Sequence, residues 1–210
     1  MNRLRDYFLN NKARPINRWL HYLPLYERHF EKFVGQKVTV LEIGVDGGGS
    51  LQMWKDFFGP KAHIIGLDGE PTCKFSESQI EVVIGHQGDE ELLVKIATSY
   101  GGLDIVIDDG GHKYGDQRTS FETLYPFVRH FYAIEDLHTS YWPRYQDPRK
   151  NVIRYLTQKL DELSAWHHPA PVTGFTRTTV GMHFYDSLCI LEKGQVNEPR
   201  AMVTGAQKWE

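Results

Sequence analysis

An apolar run that ends in acids, glycines and a histidine is the sequence feature that most restricts the fold of this chain. The run Leu103-Asp104-Ile105-Val106-Ile107 passes directly into Asp108-Asp109-Gly110-Gly111-His112. A short apolar run rich in β-branched residues is typical of a buried strand. Open α/β sheets bind their ligands at the carboxyl ends of such strands. Because Phe131-Tyr132-Ala133-Ile134 runs into Glu135-Asp136-Leu137-His138 in the same way, we expect two neighbouring strands with acidic ends.

Predicted strands and helices alternate along most of the chain, which favours βαβ units with right-handed crossovers. Residues 176–193 read instead as two strands around a short turn, an antiparallel arrangement that mixed sheets accept at an edge. The expected fold class is therefore α/β, a doubly wound, Rossmann-like, mostly parallel sheet with a C-terminal antiparallel hairpin. The predicted strands cover 37–43, 63–68, 80–85, 103–108 and 132–135, and the predicted helices cover 50–58, 89–100, 116–128 and 147–165.

Length and charge restrict the domain organisation and the partners. A chain of 210 residues suits a single core, and we expect an N-terminal helical segment over 1–34, a main domain over 35–194 and a C-terminal tail over 195–210. The net charge of −3 gives no electrostatic footprint for nucleic acid or an anionic membrane. Without a long apolar run or a secretory signal, we expect a cytoplasmic protein with Cys73 and Cys189 reduced.

The glycine-rich turn over 42–50 predicts a nucleoside site. Glycines there let the backbone approach a ligand, and Asp68, at the end of the second strand, is placed to accept hydrogen bonds from ribose hydroxyls. Asp46 replaces the second glycine of the dinucleotide fingerprint and would repel a pyrophosphate, so S-adenosylmethionine, a sulfonium without phosphates, fits better than NAD. A turn that merely packs helix on strand is the alternative. The residues assigned to the cofactor are Glu42, Gly44, Val45, Gly49, Ser50, Asp68, Gln87, Asp89 and Asp108.

Three carboxylates at the two acidic strand ends predict a metal site. Asp109, Glu135 and Asp136 offer hard oxygen ligands with no thiolate nearby, which favours Mg²⁺ over zinc or copper. A hydroxyl that coordinates such a cation becomes easier to deprotonate, and His112 is the candidate general base for that proton. The alternative is that the acids only cap the helices that follow them.

Several of these segments together resemble the class I S-adenosylmethionine-dependent methyltransferases. More narrowly, they resemble the metal-dependent sugar O-methyltransferases of macrolide and related natural-product pathways, over about residues 21–193. The resemblance is carried by Leu41-Glu42-Ile43-Gly44-Val45, Gly48-Gly49-Ser50, Gly66-Leu67-Asp68, Gln87-Gly88-Asp89, Ile107-Asp108-Asp109-Gly110-Gly111-His112, Ile134-Glu135-Asp136 and His183-Phe184-Tyr185-Asp186-Ser187.

The resemblance implies a function for the main domain. It makes 35–194 a methyltransferase domain with Asp109, Glu135 and Asp136 as metal ligands and His112 as base. It implies that His21 and Tyr22 close over the cofactor, and that the acceptor is a glycosylated small molecule. Such a protein is compatible with a homo-oligomer, although its N-terminal segment is shorter than that of the mycinamicin-type enzyme.

Two alternative functions stay open at this point. Vicinal aromatic hydroxyls also chelate Mg²⁺, so a catechol-type O-methyltransferase fits the same residues. A non-catalytic regulatory module that binds S-adenosylmethionine would keep the metal site for structure. His138 either contacts the acceptor, supports the acids or is merely solvated, and the aromatic loop over 139–143 either stacks on a sugar or packs internally.

Overall fold

A computed structural model describes residues 2–147 and 150–205 of the chain, whose predicted tail over 206–210 and residues 148–149 of the predicted helix lie outside that range. The described residues form one sheet of eight strands and seven α-helices. The strands are β1 Thr39–Ile43, β2 His63–Asp68, β3 Ser76–Glu77, β4 Ile80–Ile84, β5 Leu103–Asp108, β6 Val128–Ile134, β7 Thr179–Tyr185 and β8 Leu188–Lys193. The helices are α1 Arg3–Asn10, α2 Tyr22–Phe30, α3 Gly49–Phe58, α4 Glu90–Ser99, α5 Tyr114–Leu124, α6 Val152–Leu163 and α7 Gly174–Thr178.

The sheet has the order β3-β4-β2-β1-β5-β6-β8-β7. Strands β4, β2, β1, β5 and β6 pair in parallel, whereas β8 pairs antiparallel with both β6 and β7. This confirms the predicted doubly wound, mostly parallel sheet with a C-terminal antiparallel hairpin. The strand order reverses between β1 and β5, the position at which open α/β sheets bind ligands. The carboxyl ends of β1, β5 and β6 therefore lie side by side.

The central strands are buried on both faces, which explains their continuous apolar sequence. In β5, Ile105 and Ile107 pack in a cluster with Trp54 of α3 and Phe30 of α2. Val106, between them, packs in a second cluster with the side chains of α4, α5 and α6. The first cluster also contains buried side chains of α1 and α2, so the N-terminal segment contributes to the core of the sheet.

Several element boundaries differ from the prediction because local chemistry ends or starts the helix. The helix predicted to reach residue 128 ends at Leu124, and Pro126, which cannot donate a backbone hydrogen bond, lies in the short helical turn that follows. Helix α6 begins at Val152 because the side chain of Asn151 caps the backbone N–H groups of Ile153 and Arg154. The short elements β3 and α7 were not predicted.

Among the described residues, every helix is too short or too polar to span a membrane.

Candidate active site

A cavity of about 370 Å³ opens at the carboxyl ends of β1, β2, β4 and β5. Five residues predicted to hold the cofactor line it, namely Gly44, Val45, Ser50, Asp68 and Gln87. Its wall is acidic, because Asp46, Asp109 and Asp116 also face the cavity. A cavity of this size and charge suits a small cationic ligand that is largely enclosed.

The turn after β1 is held close to the turn after β5, and this close approach requires glycine. Gly44 has a φ of 92°, and a Cβ there would collide with the backbone carbonyl of Asp109. Asp68 closes the other side of the turn: one carboxylate oxygen accepts from the Val45 N–H at 2.7 Å, and the other accepts from the Glu70 N–H at 2.8 Å. The glycine turn and the β2 acid therefore form one wall of the cavity.

Three residues predicted to bind the cofactor lie outside the cavity, which corrects their assignment. Asp89 caps α4, since its carboxylate accepts from the Leu92 N–H at 3.0 Å. Gly49 is buried, and a Cβ there would meet the backbone of the segment before α2. Asp108 is fully buried behind the cavity, where burial raises its pKa to about 6 against the hydrogen bonds of Ser120 and Gln87. Through Gln87, Asp108 orients the cavity wall without facing the ligand.

Arg18 links the strand-end acids and is the main site residue that sequence reasoning missed. Its guanidinium donates to Glu135, to Glu42 at 2.5 Å and to Asp109 at 3.3 Å. The Arg18 side chain is 2% exposed, so these charges interact with little screening by water. Burial lowers the pKa of Arg18, but the carboxylates, Glu135 foremost, raise it further, so the guanidinium stays charged. The only available signal was that clustered buried acids need a cation.

Glu42 lies behind the cavity wall and not in it. Its carboxylate is fully buried and accepts from Arg18, from the Ser50 hydroxyl at 2.6 Å and from the Trp54 indole at 3.1 Å. With all these donors satisfied internally, Glu42 positions Ser50 and Arg18, which do line the cavity. The predicted direct contact of Glu42 with a ligand is therefore replaced by an indirect one.

Asp109, His112 and Asp136 form a cluster in which one ligand atom of each lies within 4.8 Å of the others. His112 Nε2 is 3.8 Å from Asp136 Oδ2, and Asp136 Oδ1 accepts from the Tyr22 hydroxyl at 2.8 Å. Both His112 and Asp136 have positive φ, at 56° and 54°. Strained backbone of this kind persists where the surrounding structure holds it, often at functional sites. The two strand-end turns therefore aim these side chains at each other.

The environment of His112 favours the neutral imidazole. Burial lowers its pKa, and Asp136 raises it only in part. Its Nδ1 is buried and has no hydrogen-bond partner within the described part of the chain, which leaves one polar atom of the cluster unsatisfied. The His112 ring meets Tyr145 edge-on, with ring centroids 5.7 Å apart.

Glu135, the third predicted metal ligand, turns away from this cluster. One of its oxygens accepts from both Arg18 and the Tyr26 hydroxyl, the latter at 2.6 Å. Asp109 lies between the two groups, since it belongs to the cluster and also contacts Arg18. Burial, and then Glu135, raises the pKa of Asp109, which indicates an excess of negative charge around that carboxylate. A divalent cation would offset this excess, so the donor set fits a hard metal ion.

His21 and Tyr22 lie at the metal-ligand side and not over the cofactor cavity, contrary to the prediction. Tyr22 donates to Asp136 and to the Ser187 carbonyl at 3.1 Å, and His21 contacts the Asp186 carbonyl at 3.1 Å. The start of α2 therefore packs on the β7–β8 turn, which draws both side chains away from the cavity.

Aromatic side chains cover the surface next to this cluster. His138 meets the Trp142 ring edge-on at 4.7 Å between centroids and the Trp19 ring at 5.7 Å. Trp19 is 51% exposed, Trp142 49% and Tyr141 66%. Because His138 also bonds to the Ser187 hydroxyl, it is held in place and is not a free solvated side chain. The residues that line the cavity without having been predicted include Asn17, Arg18, His86 and Asp116.

No protein-family model matches the chain, but individual proteins do. It is 41% identical over 199 residues to the 8-demethyl-8-(2-methoxy-alpha-L-rhamnosyl)-tetracenomycin-C 3'-O-methyltransferase of Streptomyces olivaceus, covering 86% of this chain and 51% of that protein. It is 40% identical over 200 residues to the mycinamicin VI 2''-O-methyltransferase of Micromonospora griseorubida, covering 86% of this chain and 50% of that protein. The chain thus spans about half the length of the curated relatives it matches.

Solved structures agree with this similarity. The MycE methyltransferase of the mycinamycin biosynthetic pathway, in complex with Mg, SAH and mycinamycin VI, superposes with a TM-score of 0.80 at 38% identity, over 92% of this chain and 53% of that one. The sheet order, the cavity at its switch point and these similarities define the chain as a class I methyltransferase. Within that class, it is a homologue of the macrolide and tetracenomycin sugar O-methyltransferases.

Proposed function

We propose that this protein transfers a methyl group from S-adenosylmethionine to a hydroxyl of a glycosylated small molecule, with Mg²⁺ as the metal cofactor. The observation that carries the proposal is the contact between two sites: Asp109 lines the cofactor cavity and also belongs to the cluster with His112 and Asp136. A methyl donor and a coordinated hydroxyl would meet at this carboxylate. The similarity to MycE, which was solved with Mg and SAH, supports the same assignment.

The cavity residues suit the methyl donor. The Gly44–Val45 turn and the Asp68 carboxylate offer backbone and acidic groups for the nucleoside. The surrounding acids, Asp46 and Asp109, favour the positively charged sulfonium over a phosphate-bearing cofactor. Transfer requires the acceptor oxygen to stand in line with the methyl group, so the site contributes mainly by alignment.

The cluster suits a metal-assisted deprotonation. When bound, the cation would lower the pKa of the acceptor hydroxyl. We propose Asp109 and Asp136 as ligands, with Glu135 as a third ligand that first leaves its contact with Arg18. The neutral His112 then takes the proton at its free ring nitrogen, a step to which general bases contribute large rate factors.

The exposed aromatic surface suits a sugar-bearing acceptor. The indole rings of Trp19 and Trp142 flank His138 and present broad apolar faces to solvent. Flat aromatic faces bury apolar C–H surface while leaving hydroxyls free to bond elsewhere. We propose that this surface orients the acceptor toward His112.

Methyl transfer to defined acceptors tests the function. Purified protein is incubated with S-adenosylmethionine and Mg²⁺, with either a panel of rhamnosylated and other deoxysugar glycosides or a panel of catechols, and methylated product is measured by mass spectrometry. We expect transfer to a glycoside that stops on addition of EDTA. Transfer only to catechols would identify a catechol-type enzyme instead. Cofactor binding with no transfer to any acceptor, and no effect of chelator, would favour the regulatory module.

We also propose the division into an N-terminal segment over 1–34, a methyltransferase domain over 35–194 and a tail from 195. The expectations of a cytoplasmic location, of homo-oligomer formation and of no nucleic-acid partner stay predictions.

A further inference from the structure

A second cavity, of about 360 Å³, lies among α5, α6, α7 and the end of β8 and shares no lining residue with the cofactor cavity. Aromatic rings form its wall. The ring centroids of Phe121 and Tyr125 are 4.8 Å apart, those of Tyr125 and Phe175 are 5.4 Å apart, and Tyr155 completes the wall. A concave aromatic wall of this volume is typical of a small-molecule site.

Two lysines line the same cavity. The Lys193 ammonium lies 4.4 Å from the centroid of the Tyr125 ring and donates to the Tyr125 carbonyl at 2.6 Å. Within the described part of the chain it has no carboxylate at ion-pair distance. Lys159 lies 5.1 Å from the Phe175 ring and pairs with Glu162 at 2.6 Å. Lys193 is thus a partly desolvated cation whose charge is uncompensated.

The charge of the cavity is consequently positive at one point. Its lining acid, Glu122, is already satisfied by Arg118 at 2.9 Å and by the Tyr155 hydroxyl at 3.0 Å. Burial lowers the pKa of Lys193 to about 8, which shows what its desolvation costs the charged form. An anion beside Lys193 would reverse this cost.

We propose that this second cavity binds a small aromatic monoanion, with its flat apolar body between the rings and its carboxylate or sulfonate on Lys193. The aromatic rings supply apolar surface, and the unpaired ammonium selects for negative charge. The proposal concerns a site separate from methyl transfer and does not depend on the proposed function.

The fluorescent sulfonate 1-anilinonaphthalene-8-sulfonate is a suitable probe. It is titrated into the folded protein with excess S-adenosylhomocysteine present, so that the cofactor cavity is not available to it. We expect one saturable site, at which the uncharged analogue N-phenyl-1-naphthylamine binds at least about tenfold more weakly. We expect Lys193→Met to weaken sulfonate binding by about tenfold or more, whereas Lys193→Arg retains it. A tenfold change corresponds to about 1.4 kcal/mol.

Lys61→Met is the matched control, because Lys61 is exposed and lies in neither cavity. It should leave the sulfonate affinity unchanged. Equal affinity of Lys193→Met and wild type, or equal affinity for the charged and uncharged probes, would overturn the proposal. If Lys193→Met does not fold, Lys159→Met decides the same question: a weakened sulfonate affinity supports the site and an unchanged affinity contradicts it.

Discussion

Arg18 and Glu135 lie 117 positions apart in the chain and form a buried ion pair at the edge of the proposed metal site. Each side chain is 2% exposed. Since Arg18 also donates to Glu42 and Asp109, one cation from the segment before α2 neutralises acids at the ends of β1, β5 and β6. This arrangement ties the N-terminal segment to the functional edge of the sheet.

Replacement of Arg18 should therefore destabilise the fold. Arg18→Met leaves buried acids without their cation, and we expect the free energy of unfolding at pH 7 to fall by about 3–5 kcal/mol, measured by urea denaturation without added metal. Lys32→Met is the matched control: Lys32 forms an exposed ion pair with Glu192, worth about 1 kcal/mol or less. The double variant Arg18→Met/Glu135→Gln should lose less than the sum of the two single variants, and strict additivity would contradict the coupling.

Removal of cluster carboxylates should weaken metal binding selectively. We expect Asp109→Asn and Asp136→Asn each to lower Mg²⁺ affinity by at least about tenfold, because each removes a charged oxygen ligand. Isothermal titration calorimetry measures Mg²⁺ and S-adenosylhomocysteine affinity separately, and the latter should change little for Asp136→Asn. Asp89→Asn, at the α4 cap, should alter neither affinity, since asparagine also caps helices. Unchanged Mg²⁺ affinity in both cluster variants would remove the metal assignment.

His112→Asn tests the proposed base with little disturbance of the backbone. Asparagine tolerates the positive φ found at this position but cannot accept a proton near neutral pH. We expect kcat to fall by about two to four orders of magnitude while Mg²⁺ affinity stays near that of the wild type. A normal rate would exclude the role of base, and a parallel loss of Mg²⁺ affinity would make His112 a ligand.

Asp68→Ala should weaken cofactor binding. The substitution removes the proposed acceptor for ribose hydroxyls and the carboxylate that holds the Val45 N–H, so we expect a loss of about 1–3 kcal/mol. Equilibrium binding of S-adenosylhomocysteine measures it. Here too Asp89→Asn serves as the control, because Asp89 lies outside the cavity. An unchanged affinity of Asp68→Ala would contradict the assigned site.

The stability of the N-terminal segment should depend on pH through His29 of α2. Burial, and then His183, lowers the pKa of His29 to about 4; Arg28 and Lys32 act in the same direction, while Glu192 opposes them. The unfolded chain therefore binds more protons than the folded one between about pH 6.5 and pH 4, and stability falls as the pH falls through this range. His29→Gln should reduce that loss by on the order of 1 kcal/mol after allowance for solvent screening. His167→Gln should not, and equal pH profiles of wild type and His29→Gln would contradict the prediction.

Much of the fold followed from local sequence patterns. The uninterrupted apolar run of β5 and the glycine turn after β1 are short-range signals, because burial on both faces and close backbone approach restrict which residues a segment tolerates. The order of these segments along the chain then favours a parallel sheet. The acids at the ends of β5 and β6 were brought to one edge as expected, because parallel neighbours end on the same side.

Only the tertiary structure decided which of these polar residues face the cavity. Asp89 and Asp68 both follow strands and carry the same carboxylate, yet one caps a helix and the other lines the cavity. The pairing of Arg18 with Glu135 leaves no periodic signal, since it joins distant segments through two side chains. The sequence alone determined that the end of β5, from Asp108 to His112, carries acid and base. Packing determined that Asp108 turns into the core while Asp109 and His112 meet Asp136, because each side chain follows the partner that its backbone position allows it to reach.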